Sequence, residues 1–286
     1  MRWIITFCLC FCTLILFSSW GFHAHKIINK SAVYTLPAPL LRFYKTHIHY
    51  ISEHAVDPDK RRYVDPLEPE RHFIDIDSYG ENPFDSIPTR WEDAVLKLSE
   101  DTLRTHGILP WQIYLSYHQL VNAFKEKNTK RILRISADLG HYIGDAHSPL
   151  HTTKNYNGQL TGQEGIHAFW ESRLPEIFAE DYNFFVGQAK YIDAPLAEAW
   201  KIIEHSFSLT DSVLDIEQQL NIQFSPDRKF MFENRNSILI RTHSQSYSQA
   251  YHLALNGMVE KQMRSSVRTL SSFWYSAWVD AGQPDL

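Results

Sequence analysis

Apolar residues recur at intervals of three and four along most of the chain. The pattern is clear in "WEDAVLKLSEDTLRTHG", "WQIYLSYHQLVNAFKEK", "RILRISADLGHYIGDA", "LAEAWKIIEHSFSLTDSVLDIEQQL" and "NGMVEKQMRSSVRTLSSFWYSAWVDAG", and it is the periodicity of helices that bury one face. Alternation with period two is almost absent. Helix boundaries are expected at Pro37 and Pro39, at Gly107 with Pro110, at Pro149 and at Pro195, because proline cannot continue a helix and glycine ends one cheaply. The Pro-, Gly- and Asp-rich stretch 75–89 and the polar stretch 152–165 read as loops. No repeat, long linker or low-complexity segment divides what remains, so the pattern predicts one all-α domain over 20–286. The cluster "FWYSAW" places Phe273, Trp274 and Trp278 at helical spacing, which fits a core-facing helix better than a ligand platform.

The first nineteen residues break the pattern. "MRWIITFCLCFCTLILFSS" has one Arg near its start, then an apolar run that ends at small serines, the layout of a secretory signal peptide. Its length is borderline for an uncleaved membrane anchor. Phe17 stands where the peptidase prefers a small residue, and the expected mature start is Trp20. Export to the periplasm or the medium follows from a leader of this kind. All three cysteines, Cys8, Cys10 and Cys12, lie inside it, so the mature chain would have no disulfide and must be held by core packing, by metal, or by both.

Composition narrows the rest. The 286 residues are 44% hydrophobic and 14% aromatic, enough apolar surface to offset the entropy of ordering. Twenty-eight basic residues against 33 acidic ones leave no basic stripe of the kind that captures nucleic acid by phosphate neutralisation alone. An anionic substrate would need a local positive centre.

The stretch "LGHYIGDAHSPLH", residues 139–151, supplies side chains that could hold one. His141 and Asp145 are four apart on a predicted helix and share a face; Pro149 ends that helix and turns His151 back toward the same region. "GIHAFWESRLPE" gives His167 and Glu171, again four apart, and His25, Asp57 and His72 lie upstream. Imidazole and carboxylate together suit zinc, which in a catalytic site keeps a position open for water. His147 and His23 read as decoys or supporting partners, and His47, His49 and His54 as surface or hydrogen-bonded core. The run "DPDKRRY" reads as a solvated loop.

The ordered set Trp20, His25, Asp57, His72, His141, Asp145, His151, His167 and Glu171 resembles the zinc-dependent phospholipase C and S1/P1 nuclease superfamily, and the "GHYIGDAHSPLH" block carries most of that resemblance. It implies a mainly helical domain with three zinc ions. Asp57, His72, His141 and Asp145 would hold one, and His151, His167 and Glu171 a second. The amine and carbonyl of an N-terminal Trp20, with His25 and the far side of Asp145, would hold the third. Asp57 would also orient or deprotonate the attacking water. The five-residue step from Trp20 to His25 and the wording of the central block lean toward an S1/P1-like nuclease cleaving single-stranded nucleic acid or 3′-nucleotides. Phe73 and Asp75 would then meet the base. Glu171 and the short gap from His151 to His167 lean toward the alternative, a phospholipase C acting on phospholipid headgroups. A metal-stabilised binding protein is the third reading. Against it, His151, His167 and Glu171 supply only three ligands where a structural zinc has four.

Overall fold

The structure, a computed structural model, describes residues 21–235 and 237–286. The expected leader and Trp20 lie outside the described residues. The elements that position the site are α1 (Phe22–Val33), α2 (Ala38–Thr46), α3 (Ile48–Glu53), α4 (Asp57–Arg61), α5 (Leu109–Lys125) and α6 (Thr129–Ala146). They are followed by α7 (Pro195–Phe207), α8 (Thr210–Gln223), a hairpin of β1 (Phe230–Arg235) and β2 (Ile238–His243), α9 (Gln245–Ala254) and α10 (Met258–Asp280). The architecture is mostly helical, as the periodicity predicts. No helix among the described residues is long and apolar enough to cross a membrane.

The chain buries one continuous apolar core between α1, α2, α5, α6 and α10. At its centre the Tyr44 ring of α2 stacks on Trp274 of α10 with centroids 4.6 Å apart. Both polar edges end on one residue of α6: the Tyr44 hydroxyl meets the Ser136 hydroxyl at 2.8 Å and the Trp274 indole N–H donates to the Ser136 carbonyl at 3.2 Å. These two aromatics thus bury large apolar areas with both polar atoms paired. Phe273 and Trp274 are fully buried and Trp278 nearly so.

Two glycines of the "LGHYIGDAH" stretch set the approach of α1 to α6. A β-carbon on Gly140 would lie 2.0 Å from the Asn29 amide oxygen, and one on Gly144 would lie 2.7 Å from His25 Nδ1. Neither position tolerates a side chain, because α1 rests directly on the α6 backbone there. Asn29 fastens the contact, its amide donating to the carbonyls of Ile51 and Ala137. This close packing places His25 of α1 over His141 of α6.

Periodicity misjudges some boundaries. The run 91–107 forms two helices, Trp91–Leu98 and Glu100–Thr105, broken at Ser99, which has φ 69° and caps the second helix by accepting from the Thr102 N–H. The run 196–220 divides between α7 and α8 in the same way. The expected loop 75–89 contains the short helix Pro83–Ser86. The hairpin is not anticipated by the helical pattern. Its strands pair antiparallel, Phe230 opposite His243 and Arg235 opposite Ile238, and "ILIRTH" has the β-branched content that could have signalled it.

Candidate metal centre

Helix α6 carries the centre. It is capped at its start by the Asn128 side chain, which accepts from the Arg131 N–H, and it delivers His141 and Asp145 from its buried face. Pro149 then opens a turn of 3₁₀ helix, Pro149–Thr152, that returns His151 to the same place. His167 and Glu171 come from the helical segment 166–178, whose middle, Phe169–Arg173, is wound as a π-helix. Such wider turns occur frequently at functional sites. The preceding polar loop is fixed rather than loose: Asp77 accepts from the Thr153 hydroxyl and the Lys154 N–H, and Asn155 accepts from the Leu160 N–H.

Three groups of side chains converge, each with potential ligand atoms within 4.8 Å of one another: His25, His141 and Asp145; Asp59, His72 and His141; and His151, His167 and Glu171. Asp145 lies between them. One of its oxygens is 2.9 Å from His72 Nδ1 and 3.3 Å from His141 Nε2; the other is 3.3 Å from His25 Nε2 and 3.8 Å from His151 Nε2. Glu171 spans the third group, with His151 Nε2 at 3.0 Å and His167 Nε2 at 3.2 Å.

The backbone fixes which ring nitrogen faces the centre. A carbonyl oxygen only accepts, so each imidazole nitrogen that bonds one must carry its proton. His141 Nδ1 donates to the Ala55 carbonyl at 2.9 Å, His151 Nδ1 to His72 at 2.6 Å and His167 Nδ1 to Tyr156 at 3.2 Å. In the neutral rings, each Nε2 therefore points a lone pair at a carboxylate or at another ring nitrogen, a contact that is repulsive unless a proton or a metal cation lies between. Two further buried nitrogens, His25 Nδ1 and His72 Nε2, have no hydrogen-bond partner among the described residues. A donor set of imidazoles and carboxylates with fixed tautomers and unmet lone pairs fits zinc.

Protonation follows the same geometry. Burial alone would raise the Asp145 and Glu171 carboxyls, but the surrounding imidazoles, His141 and His151 for the first and His167 and His151 for the second, hold both well below the usual range. Asp59 is lowered likewise by His141 and His72 against the effect of burial. Conversely, burial would lower His72, His151 and His167, yet the carboxylates facing them raise all three.

The geometry corrects one expected ligand. Asp57 is not in the cluster; its carboxylate turns to the surface, accepting from His54 Nδ1 at 2.5 Å and Lys60 at 3.0 Å. Asp59 takes the place assigned to it, 3.8 Å from His141 Nε2 and 3.9 Å from His72 Nδ1. The reason is helical: 57 and 59 both lie in α4, and residues two apart point to opposite sides. The expected loop "DPDKRRY" is this helix. Arg61 in it is only partly exposed and pairs with Asp138 and Glu68. Phe73 is half-buried, its ring and carbonyl pressed against the Gly107 turn. Asp75 is pushed up to about 6, chiefly by burial and then by Asp77, and its carboxylate lies 3.8 Å from His106.

A feature the sequence reading missed lies behind His72. Glu68 is fully buried; it accepts from Tyr142 at 2.5 Å and from Arg71 at 2.6 Å, and Arg61 reaches it at 3.3 Å. Its oxygen is 3.6 Å from His72 Nε2, too long for a hydrogen bond but close enough for charge to act. Burial opposes ionisation, yet His72, Tyr142 and Arg61 hold the carboxyl far below its ordinary range. Two signals were available: Glu68 stands four before His72, and Tyr142 adjoins His141. His147, expected to be a decoy or a supporting partner, is buried, donates from Nδ1 to the Ile143 carbonyl and is lowered to about 4 by burial.

No known family model and no curated protein matches the sequence. Among solved structures, the chain is similar to the alpha toxin from Clostridium absonum, at 13% identity over 90% of this chain with a TM-score of 0.49. It is also similar to Clostridium perfringens alpha-toxin from avian strain SWCP, at 15% identity over 93% of this chain with a TM-score of 0.48. The chain spans 64% and 65% of the length of those two proteins.

Proposed function

We propose that the protein is a zinc-dependent phosphodiester hydrolase, with phospholipid headgroups as the leading substrate class. The observation that carries the reaction class is the convergence of five imidazoles and three carboxylates about Asp145, with ring tautomers fixed by backbone carbonyls. His25, Asp59, His72, His141, Asp145, His151, His167 and Glu171 would hold the metal. The three-ion count and the role of an N-terminal Trp20 belong to the same proposal, as do a leader over 1–19 and export. When bound, zinc would polarise a phosphoryl oxygen and lower the pKa of a water to about 7.

The chain's own contribution is placement and charge. Asp145 holds four imidazoles in register, and Ala55, His72 and Tyr156 lock three of the rings through their carbonyls. Asp59, rather than Asp57, is the carboxylate placed to orient water at the centre. The lipid reading is favoured by Glu171 in the third group and by the surface beside it. Tyr156, whose carbonyl holds His167, is 53% exposed and Leu160 in the same loop is 63% exposed, an apolar margin suited to a lipid aggregate. Single-stranded nucleic acid is the second reading, favoured by half-buried Phe73 and Asp75 on the non-helical segment that leaves His72. A substrate panel on the purified protein tests both: phosphatidylcholine vesicles, single-stranded DNA, RNA and 3′-nucleotides, each with and without chelator. Chelator-sensitive release of phosphorylated headgroup is expected. Cleavage of nucleic acid alone would transfer the function to the second reading, and no chelator-sensitive hydrolysis of any member would overturn the reaction class.

A further inference from the structure

Helix α10 has two chemically distinct faces. Gln262, Met263 and Ser266 are buried and border the cavity beside His25 and Glu171. Lys261, Arg264, Ser265 and Arg268 line a separate groove, closed on its other side by Val186. About 100° of rotation per residue puts these two sets on opposite sides of the helix, so the groove is not part of the metal centre.

The groove concentrates positive charge in a chain whose formal charge is −5. Lys261, Arg264 and Arg268 follow at steps of three and four, so like charges are neighbours on one face, which is unfavourable in a helix. Lys261 also falls in the second turn of a 23-residue helix, close to the end where the macrodipole disfavours a cation. Compensation inside the protein is partial. Arg264 has Glu260 at 3.7 Å and is held in place by donating to the backbone carbonyls of Asn183 and Phe185. Lys261 donates to the Asn256 carbonyl at 3.2 Å. Among the described residues, neither Lys261 nor Arg268 has a carboxylate within 4 Å. The Ser265 hydroxyl adds a neutral donor, and the Phe185 side chain stands 86% exposed beside Arg264.

We propose that this groove is a second anion site, distinct from the metal centre, which binds a phosphate group carried either by a free phosphate ester or by a lipid headgroup. Arg264 is positioned by its carbonyl contacts to offer its fork of N–H groups, while Lys261 and Arg268 supply charge from either side. The site needs neither metal nor the hydrolytic reading of the centre.

The test uses the holoprotein at low ionic strength and two probes, inorganic phosphate followed by calorimetry and anionic phosphatidylglycerol vesicles followed by co-sedimentation. Each is compared between wild type and the double variant Lys261→Gln/Arg268→Gln. Both replaced side chains are exposed, so the fold should survive; Arg268→Gln alone serves if it does not. At least one probe is expected to bind wild type and to bind the double variant about tenfold or more weakly, with hydrolysis at the metal centre unchanged. Phosphate binding alone identifies a free ester as the source; vesicle binding lost in the variant, without phosphate binding, identifies a headgroup. The proposal is overturned if neither probe distinguishes the variant from wild type, or if the variant-sensitive binding disappears with chelator.

Discussion

Asp145 and Glu68 are buried carboxylates on either side of His72, and they are satisfied by opposite kinds of partner. Glu68 is enclosed by Arg61, Arg71 and the Tyr142 hydroxyl, groups that stay protonated at any pH the protein meets, so its neighbourhood is complete without help. Asp145 is enclosed by His25, His72, His141 and His151, imidazoles whose ring lone pairs suit a metal. The first arrangement is a permanent brace and the second is a socket. His72 belongs to both, with Nδ1 toward the socket and Nε2 toward the brace, which lets the brace fix the orientation of a ligand ring.

The comparison is broken most severely at the socket. Asp145→Ala removes the oxygen atoms on which two of the three clusters converge, and hydrolysis is expected to fall on the order of a thousandfold with loss of bound zinc. Metal analysis alongside turnover checks it. Full zinc content with full activity would remove Asp145 from the centre. Glu68→Ala should act differently. It leaves two guanidinium groups without their buried partner, and the expected loss is about 3 kcal/mol of stability, at the low end for a broken buried pair because Arg61 and Arg71 are partly exposed. Denaturant unfolding measures this, and an unchanged midpoint would show that Glu68 braces nothing.

The two carboxylates also differ in how they answer pH when metal is removed. His72, His151 and His167 have folded pKa values raised above 6.5 by the carboxylates facing them. A raised folded pKa gives stability that is complete below the unfolded value and lost as pH rises through the folded one. The zinc-free protein should therefore lose stability as pH climbs above neutrality. Zinc needs the same rings deprotonated, so its stabilising effect should grow over that range. Glu68 contributes in the opposite direction: its carboxyl is depressed, so its stability is present above the ordinary carboxylate range and lost only in strong acid. Thermal melts across pH with and without chelator separate the two; parallel curves would show that the histidines do not hold the metal.

The brace and the socket were unequally legible in the sequence. Periodicity exposed the helices because each buries one face, and His141, Asp145, His151, His167 and Glu171 were found because helical spacing and a proline turn control where they point. The tight seating of α1 on Gly140 and Gly144 was not visible, since a glycine inside a helix has no sequence mark that separates close packing from a flaw. Glu68 was missed because its partners come from three places, Arg61, Arg71 and Tyr142, whose meeting depends on tertiary packing. The hairpin at 230–243 escaped because two short strands give too little alternation against a helical background.

The smallest expected effect distinguishes two residues of one helix. The resemblance names Asp57; Asp59 stands two residues on in "VDPDKRR", and no periodic signal spans a helix of five residues to separate them. The structure turns Asp59 inward and leaves Asp57 with His54 and Lys60 at the surface. Hydrogen bonds from those two outweigh burial and lower the Asp57 carboxyl, but both pairs are substantially exposed and solvent screens them. Asp57→Asn should therefore change stability by no more than about 0.5 kcal/mol and activity by less than about twofold. Asp59→Asn, which keeps the shape and removes the charge beside His72 and His141, should lower activity by roughly 10–100-fold with reduced zinc affinity. Kinetics and zinc titration of the two variants decide between the residues, and a large loss in Asp57→Asn beside a silent Asp59→Asn would reverse the assignment.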